Sequence, residues 1–296
     1  MKYKQTITGL VFFIALLGIA ATTMGVFTTD GPGLYQYQSI RGKSITIYGK
    51  GLYKDMSAEV APQGIAQDYI TLLAGVPLLI ISLFMARKGS IKSRYVLAGT
   101  LGYFLVTYLF YTVMGMYNKM FLVYVVLMGC SFYCFILLLL SFDTKNLDKS
   151  FRMSTPVKWP GGFLIFNSIV IGFLWLSIVV PPLLDGSVIP AQVEHYTTLI
   201  VQGLDLGILL PAAFICGVLL IKKRALGYLL APVYLVFLSL LMTALTAKII
   251  AMSVFGYNVI PVIFIIPTFN LISIVSTVAL LKNIVPLSAN SEEFNL

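Results

Sequence analysis

Charge is what this sequence has least of. Only 10% of its 296 residues are Asp, Glu, Lys or Arg, against roughly 25% in a soluble globular domain. With 59% hydrophobic residues and a mean hydropathy of +0.94, the chain cannot clothe a water-facing surface. This excludes soluble enzymes and soluble nucleic-acid-binding domains and leaves a polytopic membrane protein. Histidine is nearly missing as well: His195 stands alone. That argues against a bis-histidine haem or a histidine-bound metal.

Cysteine is scarce. Cys130, Cys134 and Cys216 all fall inside apolar segments, where they read as small buried hydrophobes rather than disulfide partners. Cys130 and Cys134 share a helical face at a spacing that could hold a soft metal. With no histidine or further thiolate nearby, packing is the preferred reading. There is also no glycine-rich phosphate loop, no acylation serine with a base and no metal-ligand cluster. The sequence thus implies no catalytic residue, no metal and no cofactor.

What is present is a series of apolar runs, each near the 20 or so residues that cross a hydrocarbon core. They predict helices over 6–27, 68–86, 95–114, 120–142, 161–180, 204–221, 226–251 and 259–281. The first run follows Lys2 and Lys4, as a signal peptide's would, but it is long for a signal core and reads as a membrane helix. Between the first two helices, 28–66 form an extended outer loop rich in Gly and Tyr. Within it, 44–48 alternate like a strand before a Gly49, Lys50, Gly51 turn, consistent either with a small β-hairpin or with an ordered loop without a sheet.

The positive balance, +9, is explained by position. Fourteen of the twenty Lys and Arg residues fall on one side of the eight crossings, including Arg87, Lys88 and Lys222 to Arg224. Basic residues mark the cytoplasmic side. Both termini are therefore expected inside a cell membrane, with the lipid bilayer as partner and no nucleic acid.

The chain also repeats itself. Gln202, Asp205, Pro211 and the basic residues Lys222 to Arg224 recur, about 135 residues earlier, as Gln67, Asp68, Pro77 and Arg87, Lys88. Tyr117-Asn118 recurs as Tyr257-Asn258 at the matching corner. The expected architecture is all-α: eight transmembrane helices in two parallel four-helix repeats, 1–142 and 161–296, with a cytoplasmic linker at 143–160. Four crossings per copy keep both copies in the same sense, as in parallel-repeat transporters. The run QDYITLLAGVPLLIISL, the following Arg-Lys-Gly-Ser loop and the later QGLDLG resemble a group of bacterial polytopic membrane proteins of unknown activity. The resemblance covers most of the chain and implies the eight-helix topology, but no substrate.

Polar residues gather at the outer ends of these helices. Gln67 and Asp68 open the second, Tyr108 and Tyr111 lie late in the third, Gln202 and Asp205 share a face at the start of the sixth, and Lys248 lies late in the seventh. Ionisable groups at membrane depth are costly unless paired or hydrated. Asp205, Gln202, Asp68, Gln67, Lys248 and Tyr111 are therefore the candidate ligand-binding residues, with Lys248 either paired to Asp205 or reaching outward. Asp68, read as a first-turn acid, also has a structural explanation through the helix dipole. The leading expectation is binding or transport of a small molecule at an outward-facing polar pocket between the halves. The alternatives are an enzyme acting on lipid or isoprenoid headgroups, with Asp68 or Asp205 as acid or base, and an assembly partner.

Overall fold

A computed structural model describes residues 2–144 and 147–285. The tail with Glu292 and Glu293, and Lys145 of the linker, lie outside the described residues. Eight helices among the described residues are long and apolar enough to cross a membrane: α1 (Lys4–Phe27), α2 (Ala61–Arg87), α3 (Ile91–Val113), α4 (Phe121–Leu139), α5 (Lys158–Leu184), α6 (Ile200–Ile221), α7 (Ala225–Val254) and α8 (Val262–Lys282). The all-α polytopic class follows directly from the hydropathy.

Three starts come four or more residues before expectation. α2 begins at Ala61 rather than at 68, α3 at Ile91 rather than at 95, and α6 at Ile200 rather than at 204. Apolar runs underestimate a helix whose first turns carry polar side chains, as Gln63 and Gln67 do in α2 and Gln202 in α6. Asp68 consequently lies two turns into α2 and is not a first-turn acid.

Both helices then loosen at the same relative place. α2 passes through a π-helical turn at Thr71–Gly75 before Val76–Arg87, and α6 through another at Asp205–Leu209 before Leu210–Ile221. Pro77 and Pro211 follow within two residues of each turn. Proline lacks the amide hydrogen and its ring crowds the carbonyl four residues back; widening the ladder by one residue relieves both. Hydroxyls cover carbonyls at or beside these turns: Thr71 Oγ1 donates to Gln67 O at 2.9 Å, Tyr234 Oη to Leu209 O at 2.8 Å and Ser168 Oγ to Leu210 O at 2.7 Å. After the basic ends of the two helices the chain turns through left-handed residues, Gly89 (φ 99°) and Lys223 (φ 52°).

α3 and α7 are the most buried of the eight and pack against each other at the centre. Gly99 permits their approach: a Cβ there would lie 2.4 Å from Val236 Cβ. Small residues play this part in membrane helix packing. Around the pair, α2 packs on α1 and α3, α4 on α3 and α1, α6 on α5 and α7, and α8 on α7 and α5. The two Tyr-Asn corners also match in detail. Asn118 Oδ1 accepts from the Met120 amide at 2.9 Å and Asn258 Oδ1 from the Ile260 amide at 3.1 Å, each an Asx turn.

The connections divide between two faces. On one, β1 (Tyr35–Gln38) pairs antiparallel with β2 (Ser44–Ile47), Tyr35 opposite Ile47 and Gln38 opposite Ser44. The expected strand at 44–48 is there, but its partner precedes it and the turn is at 39–43, not at 49–51. This hairpin side clasps the α5–α6 connection: Arg41 donates to the carbonyls of Glu194, Tyr196 and Thr197, His195 Nε2 meets Asp55 O, and Tyr196 Oη accepts from the Ser57 amide. On the opposite, basic side, Phe151 of the linker pairs with Ile284 and packs its ring on Tyr95 and Tyr228. This segment joins α4 to α5 there.

Candidate functional site

Two carboxylates lie inside the spans, each at a π-kinked helix, and their surroundings differ. Asp68 is 1% exposed. Its Oδ2 accepts from Tyr53 Oη, and its Oδ1, at 3.1 Å, shares the one Tyr111 hydroxyl proton with Gly64 O at 3.0 Å. Tyr53 comes from the connection between α1 and α2. Burial, and then the charge of Asp68, hold its hydroxyl well above the ordinary tyrosine range, so it remains a donor.

α1 reaches this carboxylate because residue 25 is glycine: a Cβ there would lie 1.7 Å from Asp68 Oδ2. One residue away, Gln67 Nε2 donates to Tyr103 Oη at 2.7 Å and Thr107 Oγ1 at 3.2 Å, while Tyr103 and Thr71 share a hydrogen bond at 2.8 Å. Tyr108, Tyr111 and Tyr124 close the cluster as packed rings, with centroids 5.2 to 5.9 Å apart. Gln67 Oε1, Tyr108 Oη and Tyr124 Oη are buried without protein partners among the described residues.

Asp205 is half-buried. Its Oδ2 accepts from Trp175 Nε1 of α5 at 2.7 Å, and no other side chain among the described residues donates to it. Gln202, one turn earlier and also half-buried, makes no side-chain hydrogen bond among the described residues. Lys248 of α7 stands between the two regions. It interacts electrostatically with both Asp205 and Asp68, yet its ammonium makes no hydrogen bond or contact-distance ion pair among the described residues. Of the two readings of Lys248, paired to Asp205 or reaching outward, no direct pair is present among the described residues; the lysine interacts at longer range with both carboxylates.

Compared with known proteins, the chain matches no family model, no curated protein and no solved structure.

The six residues chosen from sequence therefore fall into two groups. Gln67, Asp68 and Tyr111 belong to the sealed tyrosine cluster, and Gln202 and Asp205 to a half-open site, with Lys248 in electrostatic interaction with both carboxylates. Sequence reasoning missed Tyr53 and Trp175, which hold the two carboxylates. Trp175 lies in an apolar run with no polar neighbour to mark it, and Tyr53 reaches Asp68 only through the fold.

Two cavities adjoin these groups, and neither is lined by Asp205, Gln202 or Lys248. One, of about 360 Å³, lies on the hairpin side among Asp30, Lys54, Asp55, Tyr117 and Lys119. The other is an apolar fissure of about 690 Å³ between α3 and α4 of one half and α6 and α7 of the other. Of the two intramembrane asparagines, Asn270 bonds Thr243 across α7 and α8 at 3.2 Å, whereas Asn167 Oδ1 has no partner among the described residues.

Proposed function

We propose that the protein binds a small molecule at Asp205, Gln202 and Lys248, on the hairpin side between its halves, and carries it across a cell membrane. The observation that carries this reading is Lys248: a cation at membrane depth, within reach of carboxylates on two helices and bonded to neither. Such a group is costly unless paired or hydrated, and a ligand that engages both Asp205 and Lys248 supplies what the protein leaves out. Asp68, Gln67 and Tyr111 then serve as the rigid wall that fixes α2 beside Lys248.

Features shared by the two parts of the chain support the transport part. The paired α–π–α helices, each with proline just after the π turn, the left-handed residue after each basic end and the two Tyr-Asn corners fit two parallel repeats. Between such halves a midplane site is the usual place for substrate. The basic side is read as cytoplasmic, following the lysine and arginine distribution, so both termini lie inside and the hairpin side faces out.

Native mass spectrometry of detergent-purified protein tests the site. The wild type is expected to retain a defined small mass that is lost in Asp205→Asn and in Lys248→Met. Unchanged retention and flux in both folded variants would remove these residues from the site.

A further inference from the structure

α6 and α7 carry matching gradients. At helical spacing, one face of α6 runs Gln202, Asp205, Leu209, Ala212, Cys216, and one face of α7 runs Lys248, Leu245, Leu241, Phe237, Tyr234. Both stripes are polar toward the hairpin side and apolar toward the basic side.

The apolar ends, with Gly102 of α3 and Gly129 of α4, line the fissure of about 690 Å³, within the roughly 300–1,000 Å³ of pockets that hold drug-sized ligands. The fissure lies at the depth of the spans, where the surrounding medium is hydrocarbon. Its wall is mostly apolar: of its two tyrosines, Tyr234 donates its hydroxyl to Leu209 O and Tyr133 is exposed. Ile208 and Leu209 of the fissure wall belong to the π turn that begins at Asp205, so the polar site lies about one turn from the fissure along α6.

We infer that the ligand of the Asp205 site is a membrane lipid, its chain in the fissure and its zwitterionic, ammonium-bearing head between Asp205 and Lys248. This rests on the site reading given under the proposed function. The Asp205 oxygen not used by Trp175 takes the ammonium, and Lys248 takes the phosphate. An anionic head satisfies only the lysine. Gly129 keeps the fissure wide, because a Cβ there meets nothing within 4 Å, so larger side chains at 129 enter the space without striking backbone.

The test is native mass spectrometry of delipidated protein titrated with phosphatidylethanolamine or phosphatidylglycerol, on wild type, the series Gly129→Ala, Gly129→Leu and Gly129→Phe, and Asp205→Asn. The wild type is expected to retain one phosphatidylethanolamine with a preference of about tenfold over phosphatidylglycerol, the scale of one charged hydrogen bond. Retention should fall with side-chain size at 129, while Asp205→Asn should lose its phosphatidylethanolamine down to the level of phosphatidylglycerol, and with it the head preference. Because the alanine variant adds no contact, it controls for folding.

Equal retention in wild type and Gly129→Phe would place the lipid outside the fissure and overturn the inference without touching the small-molecule site. Loss with size at 129 but an undiminished head preference in Asp205→Asn would instead overturn the Asp205 assignment itself. A lipid-free dimer abolished by Gly129→Phe would give the fissure to a second copy and likewise overturn it.

Discussion

α2 and α6 use one backbone device for opposite ends. Each opens a π turn ahead of a proline and places a polar residue beside it, but α2 closes the site and α6 leaves it open. Around Asp68 the first half supplies two tyrosine hydroxyls, a glycine on α1 and a wall of rings. Around Asp205 the second half supplies one indole. The kink is therefore no mark of a binding site by itself; what decides is how many donors from neighbouring elements reach the carboxylate. Two donors make a structural joint, and one leaves an oxygen for something else.

The largest effect that would break this contrast is steric. Gly25→Ala puts a methyl group 1.7 Å from Asp68 Oδ2 and must displace either α1 or the carboxylate, at a cost of about 1–3 kcal/mol or more. Gly203→Ala, near Asp205, meets nothing within 4 Å and should leave stability almost unchanged. Thermal unfolding in detergent would show the difference as a lowered midpoint for the first variant only.

Removing the carboxylates themselves comes next. Asp68→Ala strands the Tyr53 hydroxyl in a sealed cluster and leaves Tyr111 only Gly64 O, at about 1–3 kcal/mol for the unsatisfied group. Asp205→Ala strands one half-buried indole N–H, at about 1 kcal/mol. The first variant should unfold earlier, while the second should remain folded and lose ligand. Equal destabilisation would contradict the division of roles.

The clasp on the hairpin side allows a smaller test. Arg41→Ala removes the donor to three carbonyls of the α5–α6 connection and should speed amide exchange over 191–197 without lowering the global midpoint. Glu59 gives the smallest effect. Burial, and then the charge of Glu194, raise its carboxyl above the ordinary range, so the folded state holds its proton more tightly than the unfolded chain does. Protection of the clasp should be full below the usual carboxylate range and fall as pH rises through the raised value. In Glu59→Gln this part of the pH dependence should disappear, which amide exchange measured against pH would show.

The eight spans were legible because each needs only length and hydropathy, and both signals are strong in a chain this poor in charge. The starts of α2 and α6 were less so, since Gln63, Gln67 and Gln202 look like loop residues until their helical turns are seen packed against other elements. The π turns left only their prolines in the sequence, because a widened ladder has no composition of its own. The strand Tyr35–Gln38 was passed over for a physical reason too: all four of its residues are exposed, so its alternation of Tyr and Gln carries no apolar face. The candidate carboxylates could be picked out as rare charges in apolar runs, but which of them was sealed depended on Tyr53, Tyr111 and Gly25, contributed by three other elements.

The contrast between the two sites is tested most directly by access. In a background with Cys130, Cys134 and Cys216 replaced, Gln67→Cys and Gln202→Cys each lie within about a turn ahead of the π turns of α2 and α6 and can be exposed to a membrane-impermeant thiol reagent from the hairpin side. Gln67 is 2% exposed and Gln202 half-buried, so rapid labelling at 202 and none at 67 is the expected result. Equal labelling, or faster labelling at 67, would contradict the assignment of the open site to the second half.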